Sequence, residues 1–152
     1  MTVVERHRRQ LEEALVRAQA KLVAAGIEVR AEPSELGLAR LIIAGERASV
    51  AMSKDLVALA TRLLAQRLAS ARPGRTVEVR VPPYAAVQVA HGHGPTHTRG
   101  TPPSVVETDP LTFLRLATGD LTWESAVASG VRISGVHADL DRKSTRLNSI
   151  HT

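Results

Sequence analysis

The sequence predicts a fold that contains both α-helices and β-strands, and three features of the pattern predict it. Residues 3–25 and 54–71 repeat apolar side chains at helical spacing. Residues 76–90 alternate apolar and polar side chains, as half-buried strands do. Residues 109–140 indicate two short helices, a tight turn and a closing strand, and they contain two of the three aromatic side chains of the chain.

The first predicted element is an amphipathic helix over residues 3–25, which ends at Gly26. Its apolar positions are Val4, Leu11, Leu15, Ala18 and Leu22. Residues 27–32 alternate like a short strand until Pro33 interrupts them. Residues 36–43 are compatible with a helix or a buried strand, because periodicity does not separate the two in so short a run.

A second long helix is predicted over residues 54–71, with Ser53 as its N-cap and a Pro-Gly pair at 73–74 after its end. Two strands follow, at residues 76–81 and 84–90. The two prolines at 82–83 end the first of these strands, because proline has no amide hydrogen to donate to a β-ladder. Val87 and Val89 form the apolar face of the second strand.

Residues 91–103 are predicted to be a loop, since they include three glycines and three prolines. A short strand at 104–108 precedes Asp109-Pro110, which is a strong helix start with an aspartate N-cap and proline in the first turn. That helix runs to about residue 118 before Gly119. Another begins at Thr122 and ends at Gly130, and a last strand starts at residue 131.

The composition excludes several classes of chemistry. The chain has no cysteine, so it has no disulfide, thiolate nucleophile or cysteine zinc site, and we expect a cytoplasmic location. No signal peptide and no membrane-spanning stretch is predicted. The net charge is +5, but residues 141–152 supply two of those five charges, so the remainder is only modestly basic.

Three stretches of sequence resemble the bacterial, actinobacterial branch of the sterol-carrier-protein family. They read PGRTVEVRVPPYAAVQ, HTRGTPPSVVETDPLTFLRLATGDLTW and ESAVASGVRISGVHADL. The specific pattern is Asp-Pro, then x-Phe-Leu-x-Leu-Ala-Thr-Gly, then x-Trp-x-x-Ala-x-x-Ser-Gly. The resemblance covers residues 54–140.

This resemblance implies an α+β fold with a mainly antiparallel, five-stranded sheet covered on one face by helices. The amphipathic helix at 3–25 is an addition at the N-terminus. Family members hold a long apolar ligand between sheet and helices. The segment from Gly130 to Gly135 looks one residue shorter than in the family, and a shift of register there would flip the side chains of the last strand.

We therefore expect three parts. Residues 1–50 form an N-terminal helical, variable region, and residues 51–140 form the sterol-carrier-like domain. Residues 141–152 leave the family pattern and have no apolar periodicity. They resemble translated vector sequence, and we predict that they are a disordered, non-native tail.

The resemblance implies a ligand site lined by apolar side chains, and an arginine among hydroxyls and glycines at residues 98–101 can grip an acidic head group through its planar fork. The predicted lining is Val87, Val89, Phe113, Leu116, Trp123, Val127 and Ile133, and the arginine is Arg99. The competing interpretation makes the aromatic residues plain core and pairs Arg99 with Glu107 or Asp109.

Three histidines, His91, His93 and His97, lie close together, and imidazole is a common metal ligand. No carboxylate or thiol accompanies them in their loop, so we predict no metal site and no cofactor. Acidic residues interleave with the basic ones on the first helix, and the chain has no set of aromatics for base stacking, so no nucleic acid partner is expected. No integral membrane segment is expected, and the sequence does not predict the oligomeric state.

No catalytic motif accompanies these features, neither a nucleophile elbow nor a phosphate-binding loop. The leading hypothesis is therefore a non-enzymatic protein that binds an apolar or amphipathic small molecule, such as a lipid, fatty acyl or sterol-like compound. The alternatives are a scaffold domain without a ligand and an accessory domain of a thiol-dependent isomerase.

Overall fold

A computed structural model describes residues 1–90 and 104–134. The chain divides into two compact units, Met1–Ala60 and Thr61–Thr152. Three helices begin in the first unit, and the third continues into the second. The sheet and two further helices belong to the second unit. No helix in the described ranges is long and apolar enough to cross a bilayer.

The predicted N-terminal helix is confirmed as α1, Val3–Ala24. A capping box starts it: the Thr2 hydroxyl accepts from the Glu5 amide at 3.1 Å, and the Glu5 carboxylate accepts from the Thr2 amide at 3.0 Å. Gly26 follows the C-terminus with φ of +78°. Residues 1–10 are all exposed, so Val4 extends the apolar stripe without being buried.

The ambiguous region is a helix, α2, Glu35–Arg47. The Ser34 hydroxyl caps it by accepting from the Gly37 amide at 3.1 Å. The strand predicted over residues 27–32 is wrong, because no strand forms there. The alternation itself is present, since residues 27, 29 and 31 are half-buried and residues 28, 30 and 32 are exposed. The segment is hydrogen-bonded to α1 instead of to a strand, because the Val29 carbonyl accepts from the Gln19 side chain at 2.8 Å.

The second long helix is confirmed as α3, Lys54–Ala71. It buries Leu56, Ala60, Leu64 and Leu68, a stripe at helical spacing. The Ser53 carbonyl accepts the first bonds of the helix from the Leu56 and Val57 amides.

The sheet of the described residues has four strands: β1 Val77–Val81, β2 Ala85–Val89, β3 Ser104–Glu107 and β4 Arg132–Ser134. Their order is β2-β1-β3-β4. β1 pairs antiparallel with β2 but parallel with β3, and β3 pairs antiparallel with β4. The α+β class is confirmed, whereas the predicted five-stranded, mainly antiparallel sheet is wrong: within the described ranges the sheet is four-stranded and mixed. The long connection between β2 and β3 lets β3 return beside β1 in the same direction, which a tight hairpin turn cannot do.

Two short helices lie between β3 and β4, as predicted. They are α4, Pro110–Ala117, capped by Asp109, and α5, Trp123–Ser129, capped by Thr122. The Asp109 carboxylate accepts from both the amide and the hydroxyl of Thr112, at 3.1 and 2.6 Å. Gly130 has φ of +130° and turns the chain from α5 into β4. Residues 141–152 lie outside the described ranges, so the predicted tail stays a prediction.

Candidate functional site

One face of the sheet is apolar and covered. Val77, Val79 and Val81 on β1 are fully buried, and they alternate with Glu78 and Arg80, which lie on the opposite face. This alternation is what a strand with one solvated face requires. We call the buried side the covered face.

A single row of aliphatic side chains crosses the covered face. The register aligns Val79 of β1 with Val87 of β2 on one side and with Val106 of β3 on the other, and Val106 in turn with Ile133 of β4. Val79 and Val106 are fully buried, Val87 is half-buried and Ile133 is 42% exposed. The row Val87–Val79–Val106–Ile133, which we call the aliphatic row, therefore reaches solvent at both outer strands.

The structure places the predicted strand residues on the two outer strands of the sheet, Val87 and Val89 on β2 and Ile133 on β4, with β1 and β3 between them. Val87 and Ile133 end the aliphatic row, and Val89 lies in the adjacent row, opposite Val77. Ile133 pairs with Val106, so the register of β4 points it to the covered face. The sequence suggests that the segment from Gly130 to Gly135 is one residue short. Gly135, the last residue of that segment, lies outside the described residues.

The predicted helix residues divide into buried and exposed ones. Phe113, Leu116 and Trp123 are buried, as core side chains are, while Val127 on α5 is 39% exposed. Val127 and Ile133 are the two large apolar side chains of the second unit that stand exposed within its described part. Five residues, 128–132, separate Val127 from Ile133, so these two side chains lie on either side of the α5–β4 turn.

A polar cavity of about 300 Å³ lies at the end of the sheet near this turn. Its lining is Pro82, Glu107, Thr108, Asp109, Gly130 and Arg132. The carboxylate of Glu107 is 3.5 Å from the guanidinium of Arg132, and both lie on the solvated face in register with Arg80. Sequence reasoning missed this cavity, because its residues meet only through the register of β1, β3 and β4.

The charges on the solvated face are balanced locally. The Arg80 side chain donates to both oxygens of Glu78, at 2.8 and 3.4 Å, and this bond, with the carboxylates of Glu78 and Glu107, raises the pKa of Arg80. The two arginines Arg80 and Arg132 are thus each ion-paired with a neighbouring carboxylate.

The remaining predicted polar groups belong to the segment between β2 and β3. Arg99 and the histidines at 91, 93 and 97 lie outside the described residues. Within residues 1–90 and 104–134, no group of three or more histidine, cysteine or acidic side chains could hold a metal ion. Of the two carboxylates considered as partners for Arg99, Glu107 faces Arg132 and Asp109 caps α4.

Comparison with protein families gives one decisive result. The model of a family described as the bacterial SCP ortholog matches residues 53–144, more than half of the chain. The chain belongs to this family of bacterial sterol-carrier-protein orthologs. The match contains the whole sheet, α4 and α5, and it leaves α1 and α2 outside.

Comparison with curated proteins gives no match for the chain. Family membership is therefore what connects the aliphatic row to a function: it indicates a carrier in general terms and names no ligand.

Proposed function

We propose that this protein binds an apolar or amphipathic small molecule against the covered face of its sheet, without catalysing a reaction on it. The ligand class is a lipid, a fatty acyl compound or a sterol-like molecule. The aliphatic row carries this proposal, because it leads from partly exposed valine and isoleucine side chains on the outer strands to the buried centre of the covered face, and so gives an apolar ligand an entrance.

The entrance that we favour is at the α5–β4 turn. Val127 and Ile133 remain partly exposed there, while the centre of the row is fully buried. A ligand that covers these two side chains removes apolar area from water at about 25 cal/mol per Å², before the cost of association is subtracted. The polar cavity beside the same turn could accommodate a polar head group.

A second candidate is a scaffold domain that holds no ligand. The observation that favours it is the complete burial of Phe113, Val89 and the centre of the aliphatic row by the protein's own atoms. A core that is already filled must rearrange before it admits a molecule, and rearrangement of a close-packed core costs free energy.

Displacement of a fluorescent fatty-acyl probe tests the proposal. We expect the full-length protein to bind the probe saturably, and native mass spectrometry to detect lipid that co-purifies. We expect Val127→Gln to weaken probe binding about three- to ten-fold, because it removes part of the apolar contact.

The matched control is Ala128→Gln, which places the same side chain at the neighbouring exposed position of α5. It should leave probe affinity unchanged. A lipid-free mass together with the absence of saturable probe binding would favour the scaffold domain and end the carrier proposal.

A further inference from the structure

The polar cavity at the α5–β4 turn reaches both faces of the sheet, because its lining includes two consecutive residues at the end of β3. Glu107 lies on the solvated face, whereas Thr108 continues the buried positions of the strand, Ser104 and Val106. The Thr108 amide donates to the Arg80 carbonyl at 3.0 Å, so β1 still holds this residue. The cavity therefore meets the covered face where the sheet ends.

The aliphatic row adjoins this cavity on two strands. Val106 of the row precedes Thr108 by two residues, which is about 7 Å along a strand. Ile133 of the row directly follows Arg132, which lines the cavity. An amphiphile whose apolar chain lies on the row can therefore place its polar head in the cavity.

Thr108 brings a buried hydroxyl group to the lining, since the residue is only 5% exposed. Within residues 1–90 and 104–134, this hydroxyl has a single hydrogen-bond contact, with the Asp109 carbonyl oxygen at 3.4 Å. A good O–H···O bond is about 2.7–2.8 Å long. A buried hydroxyl with so long a bond favours a ligand that supplies a better partner.

The charges of the lining favour a positively charged head group. Two carboxylates, of Glu107 and Asp109, face one guanidinium, of Arg132, and all three groups are ionised at neutral pH. Asp109 caps α4, but a helix N-terminus offsets only about half a negative charge. The Arg132 side chain is 83% exposed and lies 3.5 Å from the Glu107 carboxylate, so it holds that carboxylate weakly. The balance is negative, and it opposes a carboxylate head.

Hydrogen-bonding capacity separates one kind of cation from another. Each carboxylate oxygen of Asp109 accepts one bond from Thr112 and keeps a second lone pair. The Glu107 carboxylate and the Thr108 hydroxyl can accept as well. A primary ammonium group donates three hydrogen bonds, whereas a quaternary ammonium group donates none. The lining therefore suits a primary ammonium group best.

We infer that this cavity is the head-group site for an amphiphile that carries a primary ammonium group, with its alkyl chain on the aliphatic row. The inference rests on the proposed function, because the apolar chain must bind at the covered face for the head to reach the cavity. It adds the class of ligand, a long-chain amine. The charge of this head group is opposite to that of the acidic head that Arg99 suggested.

Competition for the fluorescent fatty-acyl probe at pH 7 tests the inference with four ligands that have the same chain. They are dodecylamine, dodecyltrimethylammonium, 1-dodecanol and dodecanoate, each below its micelle concentration. We expect dodecylamine to bind most tightly, and dodecanoate to bind weaker by about three-fold or more. Dodecyltrimethylammonium has the charge without a donor, so it should bind less tightly than dodecylamine.

Two substitutions locate the preference in the cavity. Glu107→Gln should reduce the preference for dodecylamine over dodecanol by about three-fold, because it removes a negative charge from the lining. Thr108→Val keeps the shape but loses the hydroxyl, so it should weaken dodecylamine and leave dodecyltrimethylammonium unchanged. The matched control is Glu124→Gln, the same change at an exposed position of α5 outside the lining, and it should leave the preference unchanged.

The outcomes separate this inference from the proposed function. Equal binding of the four ligands, or tighter binding of dodecanoate, would overturn the inference and leave the proposed function standing. Equal effects of Glu107→Gln and Glu124→Gln would do the same, since the overall charge of the protein would then explain the preference. Absence of saturable probe binding would end both. The comparison of ligands uses the wild-type protein, so it decides the inference even where a variant fails to fold.

Discussion

Gly37 shows how one residue fixes the position of the extended segment before α2. A Cβ atom at this position would lie 1.8 Å from the backbone carbonyl oxygen of Glu32, far inside van der Waals contact. The close approach lets residues 31–33 lie against the first turn of α2. The sequence shows a glycine near a helix start, but it does not show which backbone atom approaches it.

We expect Gly37→Ala to destabilise the protein, although alanine is the better helix former. Overpacking typically costs about 1–3 kcal/mol, and the gain in helix propensity is at most about 1 kcal/mol. Urea unfolding measures the difference. A variant more stable than the wild type would show that residue 32 moves away at no cost.

The ion pair between Arg17 of α1 and Asp55 of α3 is the clearest electrostatic contact of the first unit. The Arg17 guanidinium donates to Asp55 at 2.7 Å and approaches the Ser53 hydroxyl at 3.4 Å. The hydrogen bond from Arg17, followed by that from Ser53, holds the pKa of Asp55 well below its ordinary value. Both side chains are more than half exposed, so solvent screens the pair.

A lowered pKa in the folded state means that Asp55 stabilises the fold when ionised. This contribution is complete above the unfolded pKa, about 4, and disappears as the pH falls through the folded pKa. We expect Arg17→Gln to lower the Tm slightly at pH 7. The decrease should be smaller at high salt, because salt screens the ion pair. The difference from the wild type should shrink below pH 4. A difference that is constant with pH would indicate lost packing instead.

At the scale of elements, the helices were predictable wherever caps and periodicity coincide. Asp109-Pro110 and Thr122 mark the starts of α4 and α5, and Gly130 marks the end of α5. The segment at 27–32 was misread, because a half-buried extended segment has the same alternation whether it pairs with a strand or lies on helices. The sheet order was not predictable either, since it depends on how the chain returns after β2.

The N-cap of α4 provides a test at this scale. Asp109→Ala removes an acceptor that the Thr112 amide uses, and we expect it to cost about 1 kcal/mol of unfolding free energy. Asp109→Asn keeps an oxygen acceptor and should cost much less. Chemical denaturation compares the two, and equal losses would show that charge, not capping, matters there.

At the scale of the whole molecule, the sheet belongs to the second compact unit, whereas α1 and α2 belong to the first. The sequence led to the family and to the apolar strand residues proposed for the site, because Val87, Val89 and Ile133 follow from alternation and from the family pattern. It could not show that Val127 and Ile133 stay exposed, nor that the Val29 carbonyl bonds to the Gln19 side chain of α1. Both facts depend on how consecutive elements pack on one another, which the periodicity of a single segment does not show.

Trp123 allows the most direct measurement of the central claim. It is the only tryptophan of the chain and lies at the start of α5, in the helix that carries Val127. A fatty acid brominated along its chain quenches tryptophan fluorescence only at close range. We expect saturable quenching of Trp123 in the wild type, and a weaker apparent affinity in Val127→Gln but not in Ala128→Gln. Fluorescence that does not change with the brominated fatty acid, in protein shown to be folded, would contradict binding at the sheet face.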